Sequence, residues 1–435
     1  MGRSAVDVIV LGAGAAGLAA AADLTRAGAT VLVVEARSRA GGRVYTRREP
    51  GWPLPIELGA EFIHGRPPET LSIVQAARLV AVRLPDRHVI ADGGRLRPVR
   101  HFWDEVIRVT QPRKRGGKDR SFAEGLSARR ALSPTQRLMA ARFVEGFYAA
   151  RIDRLSERSV LEGSDDDDDR PGAHDQFRIL AGYDGVIQSL LAAVPPERVL
   201  LSTAARRVAW RRGDVRVEAI GPDGASRTYR ARRAVVTLPV GVLKANAAAP
   251  GAVRFEPALA AKDRALRKLE MGHAVRVVFR FREMPPWPHD LSFVTTRRSP
   301  LPTWWTALPA EVPMITGWAG GRAAEALEQL SLDAIVGRGL QGLARALGLH
   351  ARELESRLVA ADMHDWTRDP YARGAYAYPL VGGAGAPAAL GRPEAGTLYF
   401  AGEAVDRESG TVSGALASGQ RAARAILDGL PRRAG

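Results

Sequence analysis

The stretch Val6-Asp7-Val8-Ile9-Val10-Leu11-Gly12-Ala13-Gly14-Ala15-Ala16-Gly17-Leu18 decides the fold. Asp7 to Leu11 reads as a buried strand, Gly12 to Gly17 as a tight turn, and Leu18 to Arg26, ended by Gly28, as a helix. Thr30 to Glu35 then supplies a second strand with an acid at its end, which completes a βαβ opening. In such a unit Gly12 permits the turn, Gly14 lets the backbone approach a pyrophosphate, and Gly17 lets helix and strand pack closely. Ala15 and Ala16 stand at the helix N-terminus, whose free N–H groups face phosphate, and Glu35 can accept hydrogen bonds from a ribose diol. Strand, helix and acid at this spacing turn a weak glycine signature into an expectation of dinucleotide binding.

The next residues favour FAD over NAD. Glu35-Ala36-Arg37-Ser38-Arg39-Ala40-Gly41-Gly42-Arg43 sets arginines and a glycine pair just past the ribose acid, where they offer cations and close backbone approach to a pyrophosphate.

A chain of 435 residues, 46% of them hydrophobic, can bury a large core in two to three domains. The formal charge of +16 comes mostly from arginines scattered along the chain, which reads as a solvated surface rather than a nucleic-acid site. Cysteine is absent, so disulfides, thiolate metal sites, a cysteine nucleophile and a cysteinyl-flavin bond are excluded. Any flavin is therefore expected to be held noncovalently, and no metal is expected. Arg3 before the apolar run Val6 to Leu24 imitates a signal peptide, but Asp7 and the spaced glycines fit a nucleotide turn better. With no run near the roughly 18 apolar residues of a membrane span, the expectation is a cytoplasmic protein.

Further along, Glu69 to Ser159 has helical spacing, as in Leu71-Ser72-Ile73-Val74-Gln75-Ala76-Ala77, and Ser164 to Gly172, with five aspartates, reads as an exposed loop. Strands are expected at 199–201, 207–210, 215–220 and 234–238, then at 275–281, 303–306 and 314–318. A helix is expected over 323–347, and the tail returns to strand at 398–401 and helix at 412–427. The segments divide as 1–68, 181–248 and 385–435 for a discontinuous FAD-binding domain, 69–180 for a mainly helical subdomain, and 249–384 for a substrate domain with a sheet.

Several stretches resemble, in order, those of the flavin amine oxidase superfamily, in its polyamine oxidase and histone lysine demethylase branch. They are Glu35 to Arg43, Glu57-Leu58-Gly59-Ala60-Glu61-Phe62-Ile63-His64-Gly65, Arg178 to Asp184, Arg207-Val208, Val235 to Pro239 with Thr237, Trp366 to Tyr378, and Leu398 to Glu403. The resemblance implies an α/β fold in which a Rossmann-type FAD-binding domain joins a discontinuous α+β substrate domain, the two-domain arrangement of amine oxidases and glutathione reductase. It implies flavin contacts at Gly59, Ala60, Glu61, Phe62 and Trp366, adenine contact by the Val208 backbone, and ribityl-phosphate contact by Gly402 and Glu403. The helix that starts near Thr411, with Val412 and Ala415, can turn its N-terminus to the flavin pyrimidine carbonyl.

The same resemblance implies that a small amine, with polyamines among the candidates, loses hydride to FAD and that O2 reoxidises the flavin to give hydrogen peroxide. Tyr376 matches one aromatic wall of the substrate slot, and Thr411 stands where monoamine oxidases have the opposite ring. His64 holds a position that is Glu or His in polyamine oxidases. Of the adjacent Trp304 and Trp305, at most one can face the cavity. Arg276 departs from the pattern: the family has a lysine there that holds a water against flavin N5, and Lys268 is off register. That departure keeps open a dehydrogenase, desaturase or isomerase of the same fold, and a basic nucleic-acid binder that retains FAD structurally is a third reading.

Denaturing the purified protein is expected to release intact FAD, and Glu35→Ala is expected to weaken FAD binding about tenfold through lost ribose hydrogen bonds. Flavin absorbance that stays with acid-precipitated protein would contradict the noncovalent expectation.

Overall fold

The computed structural model describes residues 5–100, 102–110, 117–163, 172–406 and 409–429. Its opening folds as β1 (Val6–Leu11), α1 (Ala15–Arg26) and β2 (Val31–Val34). Gly12 takes φ +105°, on the left-handed side open to glycine. The helix begins at Ala15, three residues earlier than its apolar pattern indicated. Gly17 fits inside the first turn because it has no Cβ, which would overlap the Gly12 carbonyl oxygen.

β1 pairs in parallel with β2 on one side and with the long strand Ser226–Val236 on the other. The second half of that long strand also pairs in parallel with Leu398–Phe400, so the tail of the chain completes the sheet begun at its head. Its first half runs antiparallel to Asp214–Ile220, which in turn pairs with Ala204–Arg211. The expected strand at 234–238 is thus the end of a longer one, recruited by this meander. On one face α1 and the last helix, Val412–Asp428, lie side by side over Val8, Val10 and Val33. Gly419 of the last helix meets the first turn of α1 so closely that a Cβ would overlap the Ala16 carbonyl oxygen.

A second, seven-stranded sheet runs in the order 358–362, 274–281, 314–320, 303–306, 293–296, 88–92, 95–98. Its core is built on Phe279, Phe281, Trp304 and Ile315, packed against the helix Leu332–Leu347. The architecture is α/β, a Rossmann-type sheet beside an α+β sheet.

Two local expectations fail for tertiary reasons. The hairpin His88–Pro98 lies in a stretch read as helical, yet it joins the second sheet because His88–Ala91 pairs in parallel with Phe293–Thr296. The helix expected over 323–347 is two helices, Arg322–Glu325 and Leu332–Leu347, because Ser331 accepts from the Ala334 N–H and caps the second. The aspartates at 165–169 lie outside the described residues. Among the described residues, no helix is long and apolar enough to cross a membrane.

Gly419→Ala is expected to cost about 1–3 kcal/mol through overpacking, more than the ~1 kcal/mol that alanine gains in helix propensity. Urea unfolding should show a lower midpoint at unchanged slope. An unshifted midpoint would mean that the two helices have room to separate.

Candidate active site

A cavity of about 400 Å³ runs from the start of α1 to the second sheet. One end is a dinucleotide cradle, lined by Gly12, Gly14, Ala15, Ala16, Glu35, Ala36, Arg37, Gly41, Gly42 and Arg43. No side chain caps α1 at Gly14, so its first-turn N–H groups are free for an anion. Thr237 lines the same end and donates to the Leu11 carbonyl at 2.7 Å, bracing the turn. The Glu35 carboxylate accepts from the Ala13 and Arg37 N–H groups at 2.8 Å each, and each oxygen keeps a lone pair for a ribose hydroxyl. Arg37 also donates to Asp369 at 2.7 Å. Burial pushes the Asp369 carboxyl up, but hydrogen bonds from His364 and Arg37 prevail and hold it well below the usual range.

Two expected contacts fall elsewhere. Gly17 lies beneath the turn instead of lining the cavity, as its packing on Gly12 requires. Val208 is fully buried in the core of the first sheet, well along Ala204–Arg211, and Thr203 and Ala205 are the residues from this region that reach the cavity.

Gly59, Ala60, Glu61, Phe62, Trp366, Gly402, Glu403, Val412 and Ala415 line the middle of the wall. Arg43 joins the head of the chain to its tail there, donating to Glu403 at 2.8 Å and to the Ala375 carbonyl at 2.7 Å. His64, Arg276, Tyr376 and Thr411 all line the cavity, so residues from four distant segments come together. The Tyr376 hydroxyl donates to the Gly146 carbonyl at 3.2 Å, and the Thr411 side chain caps the last helix by accepting from Gly414 at 3.0 Å. Trp305 faces the cavity, and Trp304, on the opposite strand face, is buried against Phe279. The His64 ring is exposed to the cavity, and the protein crowded around that cavity pushes its imidazole below its ordinary value, which favours the neutral form.

Beyond His64 the wall is aromatic in a way that no single stretch of sequence announces. Phe62, His64, Phe147, Phe143, Phe102, His88 and Phe293 form a closed circuit, each ring centroid within 6.1 Å of the next. All seven line the cavity. Beyond Phe62 and His64, the one local signal was Phe143 and Phe147, four residues apart on the helix Pro134–Tyr148.

Beneath Gly59 to Phe62 lies a buried charge cluster. Glu61 pairs with Arg276 and, at 2.7 Å, with Arg178, and it accepts from Trp305 Nε1 at 2.9 Å. Burial pushes the Glu61 carboxyl up, but the two guanidinium groups outweigh it and hold it below the usual carboxylate range. Arg276 also donates to the Gly59 carbonyl at 2.8 Å.

Comparison with known proteins adds that the family model described as flavin containing amine oxidoreductase matches residues 15–427. The chain belongs to that family. This flavin-containing amine oxidoreductase is 28% identical to polyamine oxidase 4 of Oryza sativa subsp. japonica, across 96% of the present chain and 88% of the relative. It is 27% identical to lysine-specific histone demethylase 1 homolog 2 of the same organism, covering 98% of this chain but only 57% of that relative's length. Its fold is similar to putrescine oxidase bound to putrescine and to cyclohexylamine oxidase from Brevibacterium oxydans. Each superposes with a TM-score of 0.82 and 21% identity over 98% of this chain and 99% of the other.

It is an FAD-dependent oxidoreductase, and the cradle fits that cofactor. The uncapped helix N-terminus suits a pyrophosphate, the oriented Glu35 carboxylate suits a ribose, and no Cβ narrows the wall at Gly14 or Gly402. With no cysteine in the chain, a cysteinyl-flavin bond is excluded.

Glu61→Ala strands two arginines that are each only 6% exposed, and is expected to cost about 3–5 kcal/mol of stability. Glu61→Gln, which keeps an acceptor for Trp305, is expected to cost less. Thermal unfolding of the two variants checks both values, and equal midpoints in all three proteins would mean that solvent reaches the cluster.

Proposed function

We propose that this chain oxidises the carbon–nitrogen bond of a small amine, with dioxygen as final acceptor. The observation that carries the reading is one continuous cavity in which a dinucleotide cradle opens directly into a slot walled by Tyr376 and the aromatic circuit. The names of the relatives support an amine as substrate. FAD held in the cradle would supply the two-electron acceptor: hydride loss from the carbon next to nitrogen would leave an imine that water hydrolyses, and dioxygen would take the two electrons and two protons from the reduced flavin as hydrogen peroxide.

The chain's own work is to bind, orient and set charge. Tyr376 offers a ring face to the amine, with its hydroxyl fixed on Gly146 so that the ring cannot swing. His64, held toward its neutral form, adds no charge that would repel an ammonium. Thr411, in capping the last helix, holds that helix's N-terminus against the cavity. Glu61 with Arg178 and Arg276 leaves one net positive charge next to Gly59 to Phe62, where it stabilises negative charge on the far side of that wall.

A second reading, a dehydrogenase or related enzyme of the family that uses dioxygen poorly, rests on Arg276. Among the described residues no lysine lines the cavity, and the Arg276 guanidinium is committed to Glu61 and Gly59. An arginine stays protonated and presents a planar fork, so it cannot exchange a proton with a water as an amine can.

An anaerobic screen of amines and amino acids tests the function. At least one amine is expected to bleach the bound flavin, with hydrogen peroxide formed on admitting air. Failure of every amine, while dithionite still bleaches the flavin, would defeat the proposal. In stopped flow, Arg276→Lys is expected to change flavin reduction less than about threefold and to speed reoxidation about tenfold. Unchanged reoxidation would mean that the arginine does not govern oxygen use.

A further inference from the structure

We infer that Glu57 is a redox-linked proton site: it takes a proton from solvent when the bound FAD is reduced and returns it on reoxidation. The buried charge behind the wall of Gly59 to Phe62 then changes with the state of the cofactor. The inference rests on the reading of that wall as the one against the redox-active ring, and it does not depend on which substrate supplies the electrons.

Behind the wall lies a second, smaller cavity of about 30 Å³, lined by Glu57, Glu61, Arg178 and Arg276 among others. Glu61 and Arg276 line the main cavity too, so their ion pair is the partition between the two spaces. A water needs about 10–15 Å³ and two or more polar partners, and this cavity offers both. One terminal nitrogen of the buried Arg276 donates to the Gly59 carbonyl and the other to Glu61, while its Nε has no hydrogen-bond partner among the described residues. Leu54 and Pro55, both half-buried, line the same cavity and bring it within reach of solvent.

Glu57 is buried and accepts from the Tyr183 N–H and the Thr46 hydroxyl at 2.7 Å each, and neither donor is a cation. The charged groups around it are already committed. Arg276 and Arg178 are paired with Glu61, and Arg48 is held by both oxygens of Asp184, at 2.9 and 2.8 Å. The phenol of Tyr183 is neutral, pushed up by burial. Burial likewise outweighs the two hydrogen bonds at Glu57 and pushes its carboxyl up to about 7.

The state of Glu57 therefore decides the total charge of the cluster. With Glu57 ionised, two carboxylates balance two guanidinium groups; with Glu57 protonated, one positive charge is left over. A hydride brings two electrons and one proton to the flavin and makes it one unit more negative. Negative charge across the wall raises the affinity of Glu57 for a proton, and by reciprocity that proton favours the reduced flavin. Each reduction thus places two electrons and one proton on the flavin and draws a further proton from solvent onto the Glu57 carboxylate. Reoxidation reverses both.

The test is potentiometric titration of the FAD-loaded protein at pH values from about 5 to 10, where the slope of midpoint potential against pH counts the protons taken up per electron pair. Reduction that raises the proton affinity of Glu57 about tenfold moves about half a proton at pH ~7.5. The wild type is expected to take up about 1.5 protons per electron pair there and Glu57→Gln about one, the excess fading below pH ~6 and above pH ~9. An acid with a purely structural role would leave the two profiles alike, and equal profiles overturn the inference. Should Glu57→Gln fail to fold or to hold FAD, the reduced-minus-oxidised infrared difference spectrum of the wild type decides. A protonated carboxyl band that shifts in deuterium oxide is expected to appear on reduction, and its absence overturns the inference. Because an electrode supplies the electrons, a protein that no amine reduces fails the amine-oxidation reading while the proton count still decides the role of Glu57.

Discussion

The carboxylate of Glu61 is shared by two guanidinium groups and an indole, and the two halves of the molecule meet on it. Glu61 comes from the segment that lines the cavity beyond the cradle, Arg178 from the short strand Gln176–Ile179, and Arg276 and Trp305 from two strands of the second sheet. Arg178 reaches further, donating to the carbonyls of Thr306 at 3.2 Å and Leu308 at 2.7 Å. A hydrophobic contact would tolerate sliding between the halves, whereas buried ions with directed donors tolerate little. The position of the aromatic wall relative to the cradle follows from that constraint.

The parts of this arrangement that depend on neighbours in sequence were legible. Gly12 to Gly17 and Glu35 announce the cradle because turn, helix and ribose acid lie within one βαβ unit. The tail was legible too, since Gly402, Glu403 and Val412 fall within a few residues of a strand end and a helix start. Where long-range pairing chooses between local preferences, the reading failed. His88–Pro98 is a hairpin because Phe293–Thr296 offers it an edge. The aromatic circuit could not be read as a circuit, although Phe62, His64 and the Phe143–Phe147 pair each gave a local signal. Its seven rings come from five separate segments, and the others taken alone are indistinguishable from core residues.

Arg276 illustrates an intermediate case. Its register in the stretch Gly272 to Arg276 was readable, and it does line the cavity. Its partner was not, because Glu61 lies 215 residues away in the chain and was read as a flavin contact alone. The pair makes sense of both residues: a buried arginine needs an anion, and a buried glutamate needs a cation or directed donors.

The closing of the first sheet by the strand Leu398–Phe400 and the helix Val412–Asp428 has a consequence for how the protein is made. A chain emerging at about 5–20 residues per second exposes β1, α1 and β2 roughly twenty to eighty seconds before those last elements exist. During that interval the alanine- and leucine-rich face of α1 has no partner helix, and the cradle lacks the wall of Gly402, Glu403 and Val412. The nascent βαβ unit therefore shows an unpartnered apolar face through most of synthesis, and the cradle is complete only once the tail has arrived.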